Sequence, residues 1–455
     1  MHWSRERTQD LLARCLVESP ADEIEAVFQA QDYGLTRFAG STIHQNMSEE
    51  DAMVVVRVAF GQQLGSFATN QLDTEGLRGA VKRAAEIARL SHPTPNFHGF
   101  CQPMQPGKVN GEVYFPATAE VDAAGRANRA ADVIQTAGKA GFEAAGAVSN
   151  GVYVCAVATS RGQNVYQAET RSHGLTVVNR PGEAGFGTGY AEWYGRDFEK
   201  FDPFSLGQQA VDISALNHDP AGIEPGNYAV ILSPMAVGLL LFYLSWMGFH
   251  ARSVQSGQSF LIGKKSKLVL SDSISIWDDG LDGSGYAVPF DWEGVPKQRV
   301  DIIQDGLARD VVYDSFTAAH DACRSSGHCL SPVRDQYYSS PLPSNLFIAP
   351  GGASKEELIA STERGILIEH LWYVREVHYG NTIVTGMTRD GTFLIENGRI
   401  TRPLCNLRFT QSIAEAFRSV QMVGRDLHLA EQFIGVSVTP ALKVERFNIA
   451  GISTF

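Results

Sequence analysis

Hydrophobic and polar positions change rhythm several times along this chain. Between residues 23 and 31, and again between 53 and 60, β-branched and apolar residues stand between turn-forming ones, the pattern of strands. After Asp73 the period becomes helical: Leu77, Val81, Ala84 and Ala88 share one face behind a capping carboxylate. Prolines 93, 95, 103 and 106 then mark a connection, followed by an alanine-rich helix predicted over Thr118 to Ala140 and by strands from Gly151 to Trp193. Gly182, Gly185, Gly187 and Gly189 cluster between two of these strands. With no strand-to-helix transition around them, they predict a hairpin or bulge rather than a dinucleotide loop. A helix over Pro203 to Leu216 runs into Asn217-His218-Asp219-Pro220, a domain boundary by its turn-forming residues.

Beyond that point the chain reads mainly as strands. Asp305-Gly306 and Asn397-Gly398 lie between apolar runs and supply the positive φ that two-residue hairpins need. A helix is predicted over Thr410 to Val423, with Ile413, Phe417 and Val420 inward and Gly424 as its stop. A final strand is predicted over Ala441 to Ile449. The stretch from Tyr228 to Ala251 carries no Asp, Glu, Lys or Arg, which by length alone suggests a membrane span. Pro234 divides it into a strand ending at Leu232 and a helix of about 14 residues; at ~1.5 Å per residue that helix is too short for a ~30 Å hydrocarbon core. Proline at its start and Gly248 at its end fit a buried core helix.

Composition narrows the function classes. The 455 residues carry 38 Lys and Arg against 50 Asp and Glu, a net charge of −12, and the densest basic cluster is only Lys264, Lys265 and Lys267. Direct nucleic-acid binding is therefore not expected. Six cysteines without a Cys-x-x-Cys pair suit a reducing compartment, and no apolar run follows the charged start. A cytoplasmic protein with no membrane association is expected.

The generic motifs of catalysis are weak. GQSFLIGKKS, residues 257–266, has the wrong glycine spacing for a phosphate loop and places Lys265 where a magnesium-binding hydroxyl belongs. No Gly-x-Ser-x-Gly occurs. His320, Cys323, His328 and Cys329 put four zinc-compatible donors within ten residues, but their spacing matches no familiar zinc site. The alternative is a loop with buried cysteines and a hydrogen-bonded histidine.

Eight stretches resemble the TldD/PmbA family of peptidase-related proteins. They are TRFAGSTIHQN (36–46), VVVRVAFGQQLGSFATNQLD (54–73), FDWEGVPKQRVDIIQDG (290–306), SSGH (325–328), NLFIAPGGASKEELI (345–359), VTGMTRDGTFLIENGRITRPL (384–404), VGRD (423–426) and ALKVERFNIAG (441–451). The resemblance implies an α+β protein: an N-terminal α/β domain with a mixed sheet over residues 1–220, with a sub-boundary near 93–117, and a mainly β, barrel-like C-terminal domain over 221–455. It also implies one of two kinds of chain. The TldD kind resembles a zinc peptidase, with His-Glu-x-x-x-His on a helix and a late cysteine ligand. The PmbA, or TldE, kind lacks these and can pair with the first to degrade peptides or unfolded protein.

Here the motif would fall on GLLLFYLSWM, residues 238–247, where Phe242 and Met247 stand for the two histidines and Tyr243 for the glutamate. Cys405 is the last cysteine, and the cysteine-bearing loop is shortened between Leu427 and Pro440. Catalytic zinc needs about three protein ligands and a carboxylate base, which Phe, Tyr and Met do not supply. The leading expectation is a TldE-type subunit with no cofactor of its own and no catalytic residues. Zinc is expected in a TldD-type partner, and the shared substrate would be peptide or unfolded protein. A homodimeric adaptor and an autonomous hydrolase built on His320, Cys323, His328 and Cys329 are the alternatives.

Overall fold

The computed structural model describes residues 3–17, 19–181, 187–331 and 340–453. Its first half is a six-stranded sheet in the order β3–β2–β1–β4–β5–β6. The strands are β1 Glu23–Ala39, β2 Thr42–Phe60, β3 Gln63–Thr69, β4 Glu143–Thr159, β5 Asn164–Asn179 and β6 Gly189–Gly195. The α+β class is as expected, but every neighbouring pair in this sheet is antiparallel, which corrects the mixed sheet. Short turns join β1 to β2, β2 to β3 and β4 to β5, and short turns leave no room for the crossover that parallel strands require.

Alternation along these strands gives the sheet two unlike faces. Phe28, Ala30, Val54, Val56, Val154 and Ala156 pack under the helices Arg5–Val17 and Thr74–Leu90. Farther along, the helices Ala123–Lys139 and Pro203–Leu216 cover Phe38, Val148 and Val178. The opposite face brings Gln29 beside Cys155, Gln31 beside Tyr153, and Tyr153 beside Glu169. This polar face turns toward the second half of the chain.

The second half contains a closed circuit of five strands: β7 (Gly226–Leu232), Arg364–His378, Ile383–Glu396, Leu407–Ser412 and Val436–Ile452, which returns to β7. Against this ring lies the apolar helix, Pro234–Gly248, capped by Ser233, whose side chain accepts from the Ala236 N–H. Leu240, Leu241, Leu244 and Met247 are fully buried with Leu232, Ile366, Ile368, Leu442 and Val444. Its 15 residues span about 22 Å. Among the described residues no helix is long and apolar enough to cross a membrane.

Several elements differ from the sequence pattern for local reasons. The helix Arg5–Val17 was not anticipated. β2 begins at Thr42, because its mostly polar first half is held by the ladder to β1 rather than by burial. The alanine-rich helix starts at Ala123, where the Asp122 carboxylate accepts from Gly125 N, leaving Pro116–Ala119 as a separate turn. Only Ile413–Arg418 of the helix expected over Thr410 to Val423 is helical; Thr410 lies in the strand Leu407–Ser412, and Val420, Val423 and Gly424 in the strand Val420–Glu431. Pairing with neighbouring strands outweighs the helical spacing of Ile413, Phe417 and Val420. Both hairpins form as expected, with positive φ at Asp305, Gly306, Asn397 and Gly398. Gly182 and Gly185 lie outside the described residues, while Gly187 and Gly189 lead into β6, antiparallel to β5.

Truncating the apolar helix tests this packing. Leu240→Ala is expected to cost about 2–5 kcal/mol, read as a lower denaturant midpoint. Leu239→Ala, at the half-buried neighbouring position, is expected to cost less.

Candidate functional site

The polar face of the first sheet does not close flush against the second half. A cavity of about 620 Å³ remains, lined on one side by Gln29, Gln31, Tyr153, Cys155, Glu169 and Arg171. Facing them are Trp246 from the apolar helix, Tyr286, Phe290, Trp292, Lys297 and Leu342, with Glu431 and Val436 from the last hairpin. Cavities of this size suit a ligand gripped by a few polar groups among apolar walls.

Buried charge organises the floor. Glu169 accepts from Arg171 at 2.5 Å and from Arg196 at 2.6 Å, and Arg171 reaches across to Glu431 at 3.2 Å. Burial alone would raise the Glu169 carboxyl, but the two guanidinium groups outweigh it and hold it below the usual range. The Arg171 and Arg196 guanidinium groups lie 4.5 and 5.3 Å from the centroid of the Tyr286 ring, whose buried hydroxyl has no partner among the described residues. Lys297 is half-buried at the cavity wall, held by the Ser344 hydroxyl, and among the described residues forms no ion pair.

Behind this wall is a second polar cluster. Asp278 and His328 are fully buried at 2.8 Å, and Asp278 also accepts from the Ser344 and Asn345 N–H groups at 2.7 Å. Burial pushes the Asp278 carboxyl up, but His328 and these donors hold it below the usual range. Asp291 accepts three backbone N–H bonds, from Glu293, Val295 and Cys329, each at 2.9 Å. Burial raises its carboxyl to about 6, and burial plus the Asp291 charge raises Glu293 further, to about 8. Burial and mutual repulsion thus favour the protonated form of one carboxyl of this pair.

The structure does not gather the cluster proposed from sequence. His320 and Cys323 are exposed, with His320 bonded to Asp321, whereas His328 and Cys329 are buried and engaged with Asp278 and Asp291. Among the described residues no three His, Cys, Asp or Glu side chains stand where they could hold a metal ion. At the positions that the sequence resemblance matches to the motif, Phe242 packs against Tyr243, Trp246 and Phe433; the Tyr243 hydroxyl donates to the Val374 carbonyl; and Met247 is fully buried among apolar side chains. A phenyl ring, a phenol already committed as a donor and a buried thioether do not fit a zinc ion. Sequence reasoning missed Lys297, Asp291 and Glu293 as site residues, although all three lie in FDWEGVPKQRVDIIQDG. Charged residues spaced through an apolar block were the available signal.

The raised Glu293 carboxyl makes a pH prediction. The unfolded chain loses this proton near about 4.3, the folded chain at about 8, so the contribution of Glu293 to stability is full below the first value and lost as pH rises through the second. Glu293→Gln is expected to stabilise the protein at about pH 8 relative to wild type and to lose that advantage near about pH 4, as read from denaturant midpoints.

Models of the PmbA/TldA metallopeptidase family match its domain 1 over residues 24–88 and its C-terminal domain over residues 225–451. A metalloprotease TldD homolog of Buchnera aphidicola subsp. Acyrthosiphon pisum is 26% identical over 261 residues, 54% of this chain and 52% of that protein. The chain thus spans about half the length of the first curated relatives it matches. A metalloprotease PmbA homolog of Haemophilus influenzae is 23% identical over 419 residues, 87% of each chain. In fold, the chain is similar to TldE from Thermococcus kodakarensis, with a TM-score of 0.88 at 19% identity over 98% of this chain and 100% of that one. A putative modulator of a DNA gyrase from Thermotoga maritima gives a TM-score of 0.85 at 18% identity over 97% and 100%. With both domain models matched in order along a fold of this kind, the chain belongs to the PmbA/TldD family of metallopeptidase-related proteins.

Proposed function

We propose that this chain is a zinc-free, TldE-type subunit of a two-chain peptidase, holding an extended peptide in the cavity between its sheets while a TldD-type partner supplies zinc. The observation that carries this reading is the chemistry of the apolar helix. Phe242, Tyr243 and Met247 stand where the zinc-binding kind of chain has two histidines and a glutamate, and all three are buried. A chain built this way contributes shape and binding rather than hydrolysis.

The cavity suits a peptide main chain. Gln29 and Gln31 line it with side-chain amides, the Gln29 oxygen already accepting from the Ser331 hydroxyl; the Tyr286 hydroxyl lacks a partner among the described residues, and Lys297 offers a cation for a backbone carbonyl or terminal carboxylate. Trp246, Phe290, Trp292 and Leu342 give apolar walls that accept varied side chains. A free strand edge is a second means of holding peptide with little sequence preference. The strand Arg364–His378 pairs with β7 only from Gly365 to Ile368, and beyond that, among the described residues, side chains rather than a strand bond this side in part, Ser233 to the Glu369 carbonyl and Tyr243 to the Val374 carbonyl.

Co-expression with a zinc-bearing TldD-type relative tests the assignment. The expected outcome is a stable complex that cleaves unfolded peptide, with no cleavage by this chain alone. Within the complex, Lys297→Met is expected to weaken peptide affinity about tenfold, the loss of one charge-assisted hydrogen bond. Self-association with no such complex would instead support the adaptor reading.

A further inference from the structure

Glu293 also borders a second, smaller cavity that peptide binding in the first does not use. It has a volume of about 280 Å³ and lies between β1, β2 and β3, the helix Thr74–Leu90, the proline-rich connection and the start of the helix Ser315–His320. Phe97, Phe100 and Phe316 give it aromatic walls, and Ile87, 43% exposed, stands at its rim.

The polar wall is unbalanced in two respects. Glu25 is fully buried, and its Oε1 takes both the Nε and the Nη2 hydrogens of Arg57 at 2.5 Å, while its Oε2 has no partner among the described residues. A buried carboxylate oxygen without a donor costs free energy that a bound N–H group would recover. The second imbalance is in charge. Glu25, Asp291, Glu293 and Asp314 are all buried here, and Arg57 is the guanidinium among them. Asp314 is occupied as the cap of the helix Ser315–His320, and Asp291 by its three N–H donors. Near them lie His98, the thiols of Cys101 and Cys329, Lys297 on the Asp291 side, and Arg161, which bonds the His98 and Phe100 carbonyls and pairs with Glu23.

We propose that this cavity binds a primary ammonium group on an apolar body, the ammonium donating to the free Glu25 oxygen and the body lying among Phe97, Phe100 and Phe316. An ammonium satisfies the orphan oxygen, offsets the excess of buried carboxyl groups and gains from the faces of the aromatic rings. An anion would add to the excess, and a neutral ligand would leave it. The raised Glu293 carboxyl is consistent with a site short of positive charge: burial first, then the Asp291 and Asp314 charges, push a proton onto it. A small free amine and the N-terminus of a peptide both present this chemistry.

Isothermal titration of the full chain tests it with 2-phenylethylamine, 2-phenylethanol and phenylacetate as matched probes, and with the tripeptide Phe-Ala-Ala in free and N-acetylated forms. The amine is expected to bind saturably, and the alcohol and acid at least about tenfold more weakly. Tighter binding of the free tripeptide than of the amine, lost on acetylation, assigns the site to peptide N-termini; binding of the amine without the tripeptide assigns it to small amines. Glu25→Gln is expected to weaken the amine about tenfold or more. Ile87→Trp, which obstructs the rim without changing charge, is expected to abolish binding, and decides the matter if Glu25→Gln does not fold. The two cavities share no lining residue, so this site stands or falls separately from the peptide cavity. Equal binding of amine and alcohol, no binding by any probe, or wild-type affinity in folded Ile87→Trp would overturn the proposal.

Discussion

The join between the two halves depends on a charge buried in the first sheet. Glu169 is closed off from water and is sustained by Arg171 and Arg196. Those arginines reach outward as well: Arg171 to Glu431, and Arg196 to the carbonyls of Gly285 and Ala287. Gln167 and Gln163 extend the same bonding to the carbonyls of Ala287 and Gly294. A buried ion pair of this kind adds little net stability, but losing one partner leaves an uncompensated charge, so its geometry is firmly specified. The halves meet through these directional polar bonds and through one small apolar cluster, Phe290 packed with Val27, Val55, Val157 and Val165, so their large cores stay separate. The cavity is the space that these bonds hold open.

The apolar helix solves the opposite problem. Its position against the five-strand ring would suit catalytic donors facing the cavity, yet most of its surface is hydrocarbon and aromatic. Trp246 is the residue it presents to the cavity, its indole N–H bonded to the Tyr379 hydroxyl. Aromatic packing fills this end of the helix: Phe242 stacks on Trp246 and touches Phe433, which sits in the short turn between the last two strands. With Glu431 paired to Val436, the two last strands leave only a tight hairpin there.

Much of this was legible in the sequence, and what was not has physical causes. The helix from Asp73, the Asp-Gly and Asn-Gly hairpins and the apolar helix are specified by residues within a turn or two of one another, so local pattern reveals them. The polar first half of β2 and the strands around Ile413–Arg418 are specified by partners far along the chain, which local pattern does not contain. The cavity is the extreme case, since its lining runs from Gln29 to Val436. His328 shows the limit from the other side: its neighbours in sequence suggested a metal cluster, whereas its actual partner is Asp278, fifty residues away. Resemblance to a family supplied the missing information about the motif helix, and the side-chain chemistry there supplied its consequence.

The central claim is that this chain holds no catalytic zinc of its own, and the most direct measurement is zinc content per chain. Elemental mass spectrometry of the protein purified alone, without a metal-binding tag, is predicted to find far less than one zinc per chain. A stoichiometric zinc that disappears in His328→Ala would contradict the account, because it would place the metal at a residue now assigned to a structural pair with Asp278.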